Sequence, residues 1–159
     1  MHTQSGLILT TLLFSVCSLT MAGEETVIPF DKVPEEILNK AKNLLPEAQF
    51  KTANIETEDD GTQTYEIQGI LADGRKVEVD VLENGKIEEF EVEFTQDLVP
   101  GAVLKALEKK LPDFEITYIE ASHSASKKVI KYEFVGTLAG KKLDVEVSAD
   151  GRKIELADQ

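Results

Sequence analysis

The chain has 159 residues, 42% of them hydrophobic and 30% charged, with no Trp and a formal net charge of −13. That is material for one medium domain or two small ones around a buried core. The sign of the charge excludes nucleic acid and anionic membrane surfaces as partners, and a lone Cys17 excludes a disulfide framework within the chain.

Residues 6–22 carry no charge and contain the apolar runs Leu7-Ile8-Leu9 and Leu12-Leu13-Phe14. They are too few to span a bilayer comfortably, and they end in the small-x-small sequence Thr20-Met21-Ala22. The segment reads as a secretory signal peptide, residues 1–22, cut after Ala22. Its start, Met1-His2-Thr3-Gln4, lacks the usual Lys or Arg, which leaves an uncleaved anchor and lipidation at Cys17 as the alternatives. Cleavage yields a periplasmic or secreted chain with no membrane attachment and no cysteine, and so no thiolate catalysis.

Residues 23–32 follow as an N-terminal extension. The remainder says nearly the same thing twice, at an offset of about 66 residues. Asp31-Lys32-Val33-Pro34 returns as Asp97-Leu98-Val99-Pro100, Leu45-Pro46-Glu47 as Leu111-Pro112-Asp113, and Tyr65-Glu66-Ile67-Gln68-Gly69 as Tyr132-Glu133-Phe134-Val135-Gly136. The two units are 33–96 and 97–159.

Each unit opens with a helix. Val33, Ile37, Ala41 and Leu44/Leu45 recur at helical spacing, as do Val99, Val103, Leu107 and Leu111. Pro34 and Pro100 suit a helix start, and Pro46 and Pro112 stop the run. Strands follow. Tyr65, Ile67, Gly69 and Leu71 alternate with polar residues, and Tyr132, Phe134, Gly136 and Leu138 repeat that phase. Val77, Val79 and Val81 alternate with Glu78 and Asp80, as Leu143, Val145 and Val147 do with Asp144 and Glu146. Period-two alternation gives one buried and one wet face. Asp73-Gly74, Asn84-Gly85 and Asp150-Gly151 predict two-residue hairpin turns between these runs. Phe50–Thr57 and Phe114–Ala121 are weaker strand candidates. The last run of the first unit shifts phase between Ile87 and Phe90, which predicts a bulge or a strand leaving the sheet. The fold class is therefore α+β: two tandem repeats, each a helix packed on an about four-stranded antiparallel sheet. The short link Thr95-Gln96-Asp97 predicts that the units pack together, in the limit as one eight-stranded sheet.

This order of helix, Tyr-Glu-x strand, Asp-Gly turn, Val-x-Val-x-Val strand and Asn/Asp-Gly turn resembles the PepSY domain family, over roughly residues 31–157. It looks most like the tandem, exported branch, which shares an architecture with the β-lactamase inhibitor protein. The resemblance implies a non-enzymatic exported module, in some members an inhibitory peptidase propeptide, and brings no catalytic residue with it. The second unit departs from the pattern where Ala139-Gly140 replaces Asp73-Gly74.

No catalytic constellation stands out. His123 lies in Ala121-Ser122-His123-Ser124-Ala125-Ser126, which reads as a polar loop between strands. Glu56, Glu58, Asp59 and Asp60 before Gly61 lack the ligand ladder of an EF-hand and read as an acidic hairpin loop with no metal assigned. The strongest candidate is an acidic stripe. Glu78 and Asp80 point away from the Val77/Val79/Val81 face, and the next strand adds Glu89, Glu91 and Glu93. Carboxylates that close repel one another; a partner-binding surface for an exported basic protein or peptide is one reason to keep them, and a solvated face that resists aggregation is the other. The first unit holds 16 Asp/Glu against 6 Lys/Arg and the second 11 against 10, which places the stripe in the first. The sequence thus reads as an exported non-enzymatic binding module without a cofactor, regulating or inhibiting a peptidase or other enzyme. The alternative is a periplasmic small-ligand or divalent-cation binding or sensing protein.

Overall fold

The computed structural model describes residues 24–58 and 60–156. The segment 1–22, read from the sequence as a signal peptide, lies outside the described residues with His2 and Cys17, as does Asp59. Among the described residues no helix is long and apolar enough to cross a membrane.

Helix α1 spans Glu35–Leu44 and helix α2 spans Gly101–Lys110. Each follows a short 3₁₀ turn, Phe30–Lys32 or Gln96–Leu98, and a proline held extended (Pro34 ψ 134°, Pro100 ψ 134°). Each ends with one more backbone bond, from the Leu45 N–H to the Ala41 carbonyl and from the Leu111 N–H to the Leu107 carbonyl. The next residue is proline in both cases, which has no N–H to extend the ladder.

The strands are β1 (Glu24–Ile28), β2 (Gln49–Thr57), β3 (Gln63–Ile70), β4 (Lys76–Leu82), β5 (Ile87–Glu93), β6 (Glu115–Ser124), β7 (Val129–Leu138), β8 (Lys141–Ser148) and β9 (Ile154–Leu156). They form a single nine-stranded antiparallel sheet in chain order, β1 to β9. The expectation of about four strands per unit gives way to its limiting form, one continuous sheet, with nine strands where eight were expected. β5 and β6 pair directly, Glu89 opposite Ser124 through to Glu93 opposite Glu120, and join what would otherwise be two sheets. The ninth strand, β1, falls in residues 23–32, to which the sequence assigned no element. Both β1 and β5 run into a 3₁₀ turn and a helix, then pair with the strand that follows that helix.

Both helices cover the same class of residue. Helix α1 packs on β3 and β4 and buries Ile37, Ala41 and Leu44 over Ile67, Val79 and Val81. Helix α2 packs on β8 and β9 and buries Val103 and Leu107 over Phe134, Val145 and Val147. Burying one such aliphatic side chain stabilises by roughly 1.5–3 kcal/mol. The two cores meet at the β5–β6 seam, where Phe94 packs against both. His123 belongs to that seam. It is not in a loop but in β6, because β5 supplies a pairing partner that draws the polar run into the sheet; it sits opposite Phe90 and stacks on that ring at 4.6 Å between centroids.

The turns differ in detail from expectation. Among the described residues only Ala139-Gly140 has positive φ at both positions (50° and 76°), as a two-residue type I′ turn requires. At Asp73-Gly74 and Asn84-Gly85 the glycine alone is left-handed, and the Leu71–Arg75 and Leu82–Lys86 backbone bonds close three-residue loops. The shift near Ile87 is a bulge: Val79 faces Phe90 while Val81 faces Ile87, so Glu88 and Glu89 together oppose Asp80.

Two further bulges occur at matching places. The register slips between Phe50 and Thr52 opposite Gly69, and between Ile116 and Tyr118 opposite Gly136. The bulged strand comes so close that a Cβ on Gly69 would lie 2.6 Å from the Gln49 carbonyl oxygen, and one on Gly136 2.3 Å from that of Glu115. Gly69→Ala and Gly136→Ala are therefore each expected to lower stability by about 1–3 kcal/mol in urea denaturation. Gly101→Ala, with nothing within 4 Å, is expected to raise it by about 0.5 kcal/mol.

Candidate functional site

The sheet face opposite the helices is built by register. Residues directly opposite on antiparallel strands share a face, and neighbouring strands lie about 4.8 Å apart. One row of such partners runs Asn54–Glu66–Asp80. A second runs Thr52–Gln68–Glu78–Glu91–Ser122–Lys131. A third runs Glu93–Glu120–Glu133–Glu146–Glu155, glutamate beside glutamate over five strands. The bulge at Glu88/Glu89 keeps β5 in phase, so Glu91 lies opposite Glu78 and shares its face. The residues singled out from the sequence, Glu78, Asp80, Glu89, Glu91 and Glu93, are thus brought together.

The sequence missed the continuation of that face into the second half, through Glu120, Glu133, Asp144 and Glu146. The signal was available in the repeat, since Glu66 matches Glu133, Glu78 matches Asp144 and Asp80 matches Glu146. Near-neutral net charge masked it. The cations of the second half sit largely on α2 (Lys105, Lys109, Lys110) and at turns, leaving Lys131, and Lys142 at the margin, on the face.

No described element covers this face, yet the carboxyl groups crowd one another out of water. Glu78 is 7% exposed, Glu91 5% and Glu133 7%. Some find donors. Asn54 Nδ2 donates to Glu66 Oε2 (3.2 Å), Gln68 Nε2 to Glu78 Oε2 (2.7 Å), Ser122 Oγ to Glu91 Oε1 (2.9 Å) and Lys131 Nζ to Glu146 Oε1 (2.7 Å). The Tyr118 hydroxyl donates to Glu120, and the Lys76 backbone N–H to Glu93 Oε2 (3.0 Å). Asp80 Oδ1 and Asp144 Oδ1 are sealed from solvent with no hydrogen-bond partner.

Such groups hold on to protons. Burial, aided by the charge of Glu25 and Glu56, pushes the Glu66 carboxyl up to about 7. Burial and the charges of Glu120 and Glu89 push Glu91 to about 7. Burial, then the neighbouring Asp144, pushes Glu133 to about 9. Glu78 and Asp80 stand well above the usual carboxylate range, again chiefly through burial and then like charge. Glu89, Glu120 and Asp144 are raised for the same leading reason. At neutral pH the face therefore carries less charge than its formula.

Neighbouring side chains on a strand point to opposite faces, so Ser122 and Ser124 face away from the ring of His123. That ring is buried on the core side, with its Nδ1 unpartnered and burial lowering its pKa. No three His, Cys, Asp or Glu side chains among the described residues are arranged to hold a metal ion. In the loop considered for calcium, Asp60 Oδ1 accepts the Thr62 N–H (2.8 Å) instead.

No family model and no curated protein matches the chain. Solved structures do. A β-lactamase inhibitor protein-like (BLIP-like) protein from Bacteroides fragilis NCTC 9343 aligns with a TM-score of 0.59 at 20% identity, over 79% of this chain and 88% of its own. A candidate periplasmic protein from Bacteroides eggerthii DSM 20697 aligns with a TM-score of 0.60 at 14% identity, over 77% and 88%. A DUF2874 family protein from Bacteroides uniformis ATCC 8492 aligns at 0.58 and 14% identity over the same shares. The chain has a BLIP-like architecture.

The raised carboxyls set the sign of a pH dependence. The folded chain binds more protons than the unfolded chain above about pH 4.5, so stability is greatest in mild acid and falls as pH rises through 7 and 9. The melting temperature is expected to be higher at pH 5 than at pH 9. Glu133→Gln, whose amide can still donate to Asp144, is expected to recover at least about 2 kcal/mol at pH 9 and almost nothing at pH 4.5.

Proposed function

We propose that the chain is an exported, non-enzymatic binding module that engages a basic protein or peptide through its acidic sheet face, with Glu78, Asp80, Glu89, Glu91 and Glu93 at the centre. One observation carries this reading: an uncovered face whose buried carboxylates far outnumber its lysines, at a cost in stability. Selection for stability alone would have replaced several of them by Thr or Gln. A cationic partner supplies the missing counter-charge and gains orientation from the rows.

The neighbours' descriptions favour the same reading. One is BLIP-like and another a candidate periplasmic protein; a chain of that architecture behind a signal peptide would work in the periplasm or outside the cell. Inhibition or regulation of an exported peptidase or other enzyme is the particular form we favour. We also read the two halves as duplicated PepSY-like units. That reading is supported by the shared Pro34/Pro100 helix starts and by the matched Gly69 and Gly136 bulges.

The fourfold variant Glu78→Gln, Asp80→Asn, Glu91→Gln, Glu93→Gln tests the face. Immobilised beside the unaltered chain in periplasmic extract, it is expected to remain folded, melt at a higher temperature at pH 8, and lose at least tenfold of the captured partner. Undiminished capture would contradict the assignment.

A further inference from the structure

The duplication provides an internal control for one corner of the fold. Each unit enters its helix through a 3₁₀ turn, whose first residue is Phe30 in one unit and Gln96 in the other. Phe30 is partly buried against the first core. Gln96 is exposed and lines a cavity of about 480 Å³ between its turn, α2 and the start of β6. Strand pairing makes the space. The β5–β6 ladder ends at Glu93 opposite Glu120, with one further bond from the Phe94 N–H to the Ile119 carbonyl, so residues 115–118 run on past β5. In the first unit β2 runs past β1 in the same way, since their ladder ends at Ile28 opposite Ala53. An aromatic ring packs at that corner in the first unit, and an amide leaves it open in the second.

The open corner is apolar. Leu104, Leu111, Phe114 and Ile116 line it and stay only partly buried. Phe114 stands at the place of Ala48 and lies against Gly136, where a Cβ would meet its ring at 2.6 Å, so it forms the floor and does not close the cavity. Leu98, in the same turn as Gln96, is 47% exposed where the first unit has Lys32. The rim is cationic. Lys105 and Lys109, one turn apart on α2, both line the cavity against a single carboxylate, Glu108. Neither lysine has an ion pair among the described residues. On a chain of net charge −13, an anion is held there by these two groups and not by bulk attraction.

The size and the internal control name the occupant. Small-molecule sites run from roughly 300 to 1,000 Å³ and combine apolar walls with a few placed charges. Phe30 shows the shape that fits the corner, a flat ring on a short stem. We infer that the cavity between the Gln96 turn, α2 and the start of β6 binds a small aromatic carboxylate, its ring on Leu104, Leu111, Phe114 and Ile116 and its anion at Lys105 and Lys109. The site lies on the helix side of the sheet and stands independently of the acidic face.

3-Phenylpropionate, 3-phenylpropanol and 3-phenylpropylamine are the probes, titrated in turn into the ¹⁵N-labelled full chain at pH 7.5 and physiological salt. The acid is expected to shift the amides of Gln96, Lys105, Leu111 and Ile116 selectively and to bind at least fivefold more tightly than the alcohol, while the amine leaves these amides unmoved. Lys105→Gln/Lys109→Gln, both on the helix surface, is expected to bring the affinity for the acid down to that for the alcohol. Gln96→Phe, which restores the ring of the first unit, is expected to melt no lower than the unaltered chain and to bind the acid at least tenfold more weakly. No binding of the acid, equal affinity for acid and alcohol, shifts confined to other parts of the chain, or undiminished binding by either folded variant would each overturn the assignment. Should Gln96→Phe fail to fold, the lysine pair and the probe series still decide.

Discussion

The register between β5 and β6 is the constraint from which the rest of the molecule follows. Val92 must lie opposite Ala121 for the two cores to meet behind the sheet. Because side chains alternate, the same alignment puts Glu93 opposite Glu120 and Glu91 opposite Ser122 on the other side. A slip of one residue would expose the core and bury every charge. The apolar seam therefore also fuses the acidic rows of the two halves into one surface. Phe90, His123, Phe94 and Tyr132, in contact from ring to ring across the joint, hold that alignment from behind.

The cost of such a surface is desolvation, and protons lessen it. A carboxyl that keeps its proton is neutral, and it can be buried beside another without the full penalty of an ion. The chain thus holds protons at positions that would otherwise carry charge. Where protonation and local donors do not suffice, at Asp80 and Asp144, an oxygen is left without a partner. These two residues mark where the resting state is least satisfied.

Much of the fold was legible in the residues. Pro34 and Pro100 mark both helix starts, Ile37, Ala41, Val103 and Leu107 face the core, and the Val-x-Val runs lie in strands as read. What failed to show depended on partners distant in sequence. Glu24–Ile28 has little intrinsic strand pattern and is a strand because β2 offers it an edge. Ser122 and His123 look like loop residues until β5 pairs with them. The short Thr95-Gln96-Asp97 link pointed to a continuous sheet, but the β5–β6 register that sets the full extent of the acidic face is encoded in no local pattern. Net charge misled for a related reason: it sums over all sides of a unit, whereas the lysines of the second half mostly occupy its helix and turns.

The most direct measurement follows the side-chain carboxyl carbons of individual glutamates by NMR from pH 3 to pH 10. If these groups are buried side by side as described, Glu66 and Glu91 titrate near 7 and Glu133 near 9. Midpoints for all three clustered around 4 to 5, where carboxylates in open water lose their protons, would show that the crowded acidic face does not exist.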